Sequence, residues 1–138
     1  MAYWLVKSEP YKYSWEQFEK DGQTYWDGVR NYQARNNLKA MKEGDLLLWY
    51  HSNEGLEMVG IAQIVKEAYQ DPTTDNVAWV VVDVKPFKRL VKTVSLAEVK
   101  ADIRLSNMAL VRNGRLSVQP VTAEEWDVIM ELSDTKIP

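Results

Sequence analysis

The chain has 138 residues, 46% apolar and 27% charged, which is enough to bury a core and too apolar for disorder, and the length sets the expectation of one domain spanning 1–138. The absence of cysteine excludes disulfides and thiolate metal sites, and the lone histidine, His51, leaves no paired imidazole ligands. A formal net charge of −3, from 17 Lys+Arg against 20 Asp+Glu, excludes nucleic-acid affinity built mainly on phosphate neutralisation but leaves room for a small site with a local basic patch.

The chain opens on a strand signal, Tyr3 to Lys7, stopped by Ser8-Glu9-Pro10 because Pro10 forces an extended residue before it. No charged region precedes a long apolar run and no segment reaches membrane-spanning length, so a soluble, cytoplasmic protein with no membrane partner is expected. Ser14-Trp15-Glu16-Gln17 reads as a capping box, with Tyr13 and Phe18 as its hydrophobic staple. A helix from Trp15 to Lys20 follows, ended by Gly22. Trp26-Asp27-Gly28 signals a turn in which Gly28 is free to take positive φ. From Asn31 to Lys42 the spacing is helical, with Ala34, Leu38 and Met41 forming one apolar stripe.

Glu43-Gly44-Asp45 breaks that helix, and Leu46 to His51 is a buried-strand run that ends on Tyr50, His51, Ser52 and Asn53. A turn at Gly55 leads to a strand over Met58–Lys66, where Gly60 and Ala62 permit a close neighbour or a tight bend. Asp71 to Asn76 is a loop. Val77 to Lys85 is the next strand, bent or ended by Pro86, and the positive run from Lys85 to Lys92 reads as a solvated strand edge. Ser95-Leu96-Ala97-Glu98 opens a second capped helix, to Ala101. Asn107 to Gly114 reads as irregular. Leu116–Val121 is an edge strand because it contains Pro120. Thr122-Ala123-Glu124-Glu125 caps a last helix carrying Trp126, Ile129 and Met130 on one face. The pattern predicts an α+β fold, with about five or six strands, mostly antiparallel, in a small, strongly bent sheet or partial barrel with helices outside it.

The stretch Tyr25–Asn37, YWDGVRNYQARNN, is the chemically distinctive one. Its Asn, Gln and Arg side chains supply planar hydrogen-bonding groups, and its Trp and Tyr supply flat faces. That set suits a flat, polar, partly charged ligand, of which a nucleobase with its phosphate is the common biological case. Asn31 as helix cap would place free N–H groups beside Arg30 as an anion site, with Tyr32 and Arg35 neighbouring Asn31 on one face. Trp26 is the ring best placed to line a ligand. Trp4, Trp15 and Trp126 read as core, and Trp79 is open. Lys39 and Lys42 read as solvated.

Signals for catalysis are sparse. There is no nucleophile elbow and no glycine-rich phosphate loop. His51 and Ser52 are strand neighbours that point to opposite faces. Lys7 and Glu9 share a face and form a candidate acid–base pair. No cofactor and no metal are expected.

Six segments carry a resemblance over nearly the whole chain: YWLVKSEP (Tyr3–Pro10), YSW (Tyr13–Trp15), WDGVRNYQARNNLKAMKEGD (Trp26–Asp45), WYHSN (Trp49–Asn53), VGIAQIVKEAYQDPT (Val59–Thr73) and ALVRNGRLSVQPVTAEEW (Ala109–Trp126). Through them the chain resembles the EVE-domain proteins of the PUA-like group. The resemblance implies a single PUA-like domain, a small bent antiparallel β-barrel with flanking helices. It further implies a pocket that reads a modified base of the 5-methylcytosine type, with DNA as the favoured carrier over RNA. Ser8, Trp26, Arg30, Asn31, Tyr32, Arg35, Tyr50, His51 and Ser52 are then expected around that pocket. Trp26 and Tyr50 would stack, Ser8 and Asn31 would bond the base edge, and Arg30 and Arg35 would contact phosphate. Two rival functions stand beside this one. One is an RNA-binding module acting on tRNA or rRNA. The other is a small hydrolase of modified nucleosides using Lys7 and Glu9.

Overall fold

The computed structural model describes residues 1–27 and 29–137, so the conformation expected at Gly28 lies outside the described residues. Strand β1 (Tyr3–Ser8) is followed by helix α1 (Trp15–Asp21), the short strand β2 (Thr24–Tyr25) and helix α2 (Tyr32–Ala40). Three longer strands come next: β3 (Leu46–His51), β4 (Glu57–Gln70) and β5 (Val80–Ser95). Helix α3 (Leu96–Ala101), a 3-10 turn (Ile103–Leu105), helix α4 (Ala109–Arg112), strand β6 (Val118–Val121) and helix α5 (Ala123–Leu132) complete the described elements. Helix α4 occupies ground expected to be irregular.

The strands form one mixed sheet in the order β2-β5-β4-β3-β1-β6. Its ends do not meet, so the closed barrel implied by the resemblance is not formed among the described residues. Strands β3, β4 and β5 are antiparallel neighbours, as the short connections require. Strand β1 departs from the expected pattern and runs parallel to β3, from Tyr3 beside Leu46 to Ser8 beside His51. The physical reason is the long crossover between them, which a hairpin could not supply. Strand β5 also runs straight through Pro86, which faces Ala62 at a register shift, where a missing N–H disturbs the ladder least. Repeated register shifts between β4 and β5 bend this pair. The outer edge of the positive run is met by the C-terminal segment, since Val91 N donates to Thr135 Oγ1 and Lys92 N to the Ser133 carbonyl.

Alternation along the strands separates two cores. Trp4, Val6, Leu47, Trp49, Val82 and Val84 face one side with Trp15, Phe18 and Leu38. Leu5, Leu48, Tyr50, Ile61 and Leu90 face the other with Trp126 and Ile129. The helices begin where capping chemistry predicts. Complete capping boxes open α3 at Ser95 and α5 at Thr122. Helix α1 has half of one: Ser14 Oγ accepts from Gln17 N, but the Gln17 amide turns to Asp21 Oδ1 at 2.9 Å instead of reaching back. Gly22 closes α1 at φ 74°.

Gly60 lies directly beneath the Trp15 indole, where a Cβ would fall 2.5 Å from Trp15 Cη2. Gly60→Ala therefore forces the indole or the bulged β4 strand to move. Urea denaturation is expected to show a loss of about 1–3 kcal/mol with an unchanged m-value.

Candidate functional site

After β1 the chain turns tightly, with Lys12 N and Tyr13 N both donating to the Glu9 carbonyl at 2.9 Å. Ser8 Oγ closes the turn from inside by donating to the Tyr13 carbonyl at 2.6 Å. Beyond α1, the chain returns along the edge of β5, pairing Thr24 with Val84 and Tyr25 with Asp83, and Trp26 N donates to the Val82 carbonyl at 2.8 Å. A cleft of about 430 Å³ opens between these two stretches, lined by Lys7, Ser8, Glu9, Lys12, Tyr13, Thr24, Tyr25, Trp26 and Asp27.

The walls rest on Trp49, which is fully buried. Trp26 meets the Trp49 ring edge-on, with centroids 4.9 Å apart and planes at 81°. Tyr13 lies 5.9 Å from Trp49, and Phe18 stacks on it at 4.3 Å. Tyr13 Oη donates to Asp21 Oδ2 at 2.6 Å. Burial, reinforced by that carboxylate, pushes the Tyr13 phenol up to about 12, so it stays protonated.

A second cluster lies further along the same returning chain. Trp79 sits between Arg30, whose guanidinium is 5.6 Å from the ring centroid, and Tyr32, whose ring is 5.0 Å away and tilted by 32°. Arg35 lies 4.9 Å over Tyr32. Arg30 Nη1 is ion-paired to the buried Asp71 at 3.1 Å and also donates to the Val29 carbonyl. Arg35 donates to the Ala78 carbonyl and the Asn36 side chain, and pairs with no carboxylate among the described residues. Tyr32 is 62% exposed. Asn31 caps α2, its Oδ1 accepting from Ala34 N at 2.9 Å. Its side chain keeps both Nδ2 donors and one Oδ1 lone pair for a ligand.

Of the residues expected at the site, Ser8 and Trp26 share the cleft, while Arg30, Tyr32 and Arg35 gather around Trp79. Tyr50 does not fit its expected stacking role. It is 2% exposed and belongs to the core on the opposite face, because alternation sends Trp49 and not Tyr50 toward the cleft. Lys7 and Glu9 do not pair either. Lys7 Nζ donates to the Gly114 carbonyl and sits 5.8 Å from the Tyr50 ring centroid, and burial pulls its pKa down. Glu9 ion-pairs with Lys12 at 3.4 Å. Ser52 N donates to the Ser8 carbonyl at 2.9 Å, fixing the backbone at the cleft. His51 sits half-buried beside Tyr11 and Glu54 in a separate hollow. Its Nε2 is buried without a hydrogen-bond partner among the described residues.

Sequence reasoning missed Tyr13, Lys12, Thr24, Tyr25 and Asp27 as cleft residues. Tyr13 was legible only as a helix staple. Thr24, Tyr25 and Asp27 face the cleft because β2 pairs with a strand some sixty residues away, and that pairing has no local signal.

The mixed sheet with helices packed around it defines a class of small α+β module consistent with the PUA-like fold. A YTH domain from Zygosaccharomyces rouxii has the same fold at a TM-score of 0.63 and 17% identity, covering 99% of this chain and 88% of that one. The EVE domain family model matches residues 2–132, and the chain belongs to the EVE-domain family. Human thymocyte nuclear protein 1 is 38% identical, covering 96% of this chain and 74% of the human protein. A crystal structure of an Agrobacterium tumefaciens protein superposes with a TM-score of 0.97 at 45% identity, covering 100% of this chain and 97% of that one. The structure of the human THYN1 protein in complex with DNA containing 5-methylcytosine superposes with a TM-score of 0.91 at 37% identity, covering 99% of this chain and 100% of that one. Among the described residues no helix is long and apolar enough to cross a membrane.

Burial holds the His51 pKa below its ordinary value, with Glu16 and Glu57 opposing in part. The unfolded chain then binds a proton that the folded one does not, between the lowered folded pKa and the ordinary value near 6.5. Stability is expected to fall as pH drops through that window and to level off below the folded pKa. Because the chain has one histidine, His51→Gln is expected to flatten this part of a stability–pH profile measured by urea titration.

Proposed function

We propose that this protein, acting as one module over residues 1–138, is a non-enzymatic reader of a modified nucleobase of the 5-methylcytosine type, flipped from DNA into the cleft between Ser8 and Trp26. The observation that carries the reading is the cleft itself. An indole wall, braced edge-on by a buried second indole, stands across from a buried hydroxyl in a space of about 430 Å³. The superposition on human THYN1 in complex with 5-methylcytosine DNA supports it.

The energetics are compatible with the reading, since the terms nearly balance. Unstacking a base costs a few kcal/mol, roughly, and stacking against one aromatic returns ~1–3 kcal/mol. A buried methyl adds about 0.8 kcal/mol, so the methyl alone discriminates only modestly. Selectivity must come from polar contacts to the base edge.

In this reading Trp26 stacks on the base and Ser8 meets its edge. Tyr32 and Trp79 form an aromatic ledge for the flanking strand, and Asn31 offers it Nδ2. Arg35 takes the phosphate. Arg30 is the weaker phosphate ligand because Asp71 already neutralises it. His51 and Ser52 support the backbone behind Ser8. The hydrolase reading loses ground because Lys7 and Glu9 are committed to different partners.

Titration with oligonucleotides carrying methylated, hydroxymethylated or plain cytosine is expected to rank the modified bases first. Equal affinity for all, or none at any salt, overturns the reading, and tighter binding to matched RNA overturns the choice of DNA. Trp26→Ala is expected to weaken binding by about tenfold to a hundredfold, the equivalent of the stacking term. Arg35→Ala is expected to lower the slope of log affinity against log salt by about one, with little change in base preference.

A further inference from the structure

An aromatic side chain without a role so far stands on the rim of the cleft. Tyr11 is 66% exposed, on the turn between Glu9 and Lys12, both of which line the cleft. Single exposed apolar side chains are ordinary on a protein surface. Tyr11 differs in where it stands and in how firmly its turn is held. Pro10 fixes the backbone just before it. Lys12 N and Tyr13 N close on the Glu9 carbonyl, and Ser8 Oγ donates to the Tyr13 carbonyl at 2.6 Å. The start of the turn is tied to the chain just past β3, where Ser52 N donates to the Ser8 carbonyl. Lys12 Nζ lies 6.0 Å from the Tyr11 ring centroid, and the Glu9 carboxylate is close enough to the phenol to raise its pKa. The result is an aromatic knob open to solvent and anchored by its backbone, beside an opening lined by Trp26.

A base that turns out of a duplex leaves a gap, and its neighbours lose a stacking partner. Proteins that unstack DNA fill such gaps with an inserted apolar side chain. A flat ring suits the task because every base offers it a π-face, whatever the sequence. Trp26 and Tyr13 are committed to the cleft wall by their packing on Trp49. Tyr11 is on the same rim and outside the wall. Building on the base-reading proposal above, we infer that Tyr11 is a wedge, inserted into the duplex at the place vacated by the base that occupies the cleft. A wedge contributes only where there is a stack to enter. Its loss weakens binding to a paired base and spares binding to a free strand, a split that neither a cleft residue nor a phosphate contact produces.

The test measures the affinity of wild type, Tyr11→Ala and Tyr11→Phe for 5-methylcytosine in one sequence, presented in a fully paired duplex or in the single strand. Tyr11→Ala is expected to weaken duplex binding by about tenfold, within the range of one stacking face, and to leave single-strand binding within about twofold. Tyr11→Phe keeps the ring, loses the hydroxyl and is expected to bind the duplex like wild type. Tyr11 is exposed, so both variants are expected to unfold at the wild-type urea midpoint. With 2-aminopurine beside the 5-methylcytosine of the duplex, the saturated Tyr11→Ala complex is expected to be brighter than the wild-type complex, because the fluorescent base has lost the ring stacked against it. Equal losses on duplex and single strand, no loss on either, a phenylalanine loss as large as the alanine one, or equal brightness overturns the wedge and leaves base reading standing. Wild-type binding to the single strand without binding to the duplex does the same. Failure of wild type to bind either form overturns base reading and the wedge together.

Discussion

The indole of Trp49 has no exposed surface, and around it are gathered Phe18 stacked on one face, Trp15 and Trp26 edge-on, and Tyr13 tilted alongside. Helix α1, through Trp15 and Phe18, and the returning stretch, through Trp26, are both packed on this ring. The arrangement has a cost, because the Nε1 groups of Trp15 and Trp49 are buried without partners among the described residues. Each unmet N–H costs about 1–3 kcal/mol. Burying an aromatic side chain of 150–250 Å² returns about 4–6 kcal/mol at 25 cal/mol/Å², so the packing term wins. The Trp26 ring on the cleft is thus braced from behind by the core rings.

The charges tell a complementary story. The chain is acidic overall, and many of its cations have internal work. Arg30 answers Asp71, which is fully buried and also receives the N–H and hydroxyl of Thr73. Removing Arg30 would take away a cation paired with a buried carboxylate, so its first role is structural. Arg89 ties β5 to Glu16 and Glu19 on α1, and Arg104 joins Asp102 to Glu131. Arg35 meets the Ala78 carbonyl, the Asn36 amide and the Tyr32 ring, and no carboxylate among the described residues. A binding surface assembled from one such cation and several flat rings gets its affinity from stacking and edge contacts more than from charge.

Much of the fold was legible where the signal was local. The boxes at Ser95 and Thr122, the cap at Asn31 and the stop at Gly22 all follow from residue types within one helical turn. So does the buried stripe of Ala34, Leu38 and Met41. What could not be read was non-local. Nothing around Tyr3–Ser8 says that its partner runs parallel, and nothing around Pro86 says that the facing strand shifts register to accommodate it. The candidate site divides in the same way. Trp26 was singled out from its chemistry and Ser8 through the family resemblance, and both line one cleft. Tyr50 was misplaced by one residue of strand parity, and Trp79 stayed open because its partners Arg30 and Tyr32 lie nearly fifty residues earlier.

The parallel pairing of β1 with β3 has a consequence for how such a surface can change. Apart from Lys7 and Ser8, every residue on the cleft lining belongs to the crossover 9–45, and so do three of the four side chains in the Arg–aromatic ledge. That crossover is held between two adjacent strands, but its own β2 completes the sheet edge against β5 and its Trp15, Phe18 and Leu38 fill one core. The lining of the cleft therefore cannot be replaced as a block without also rebuilding that edge and that core.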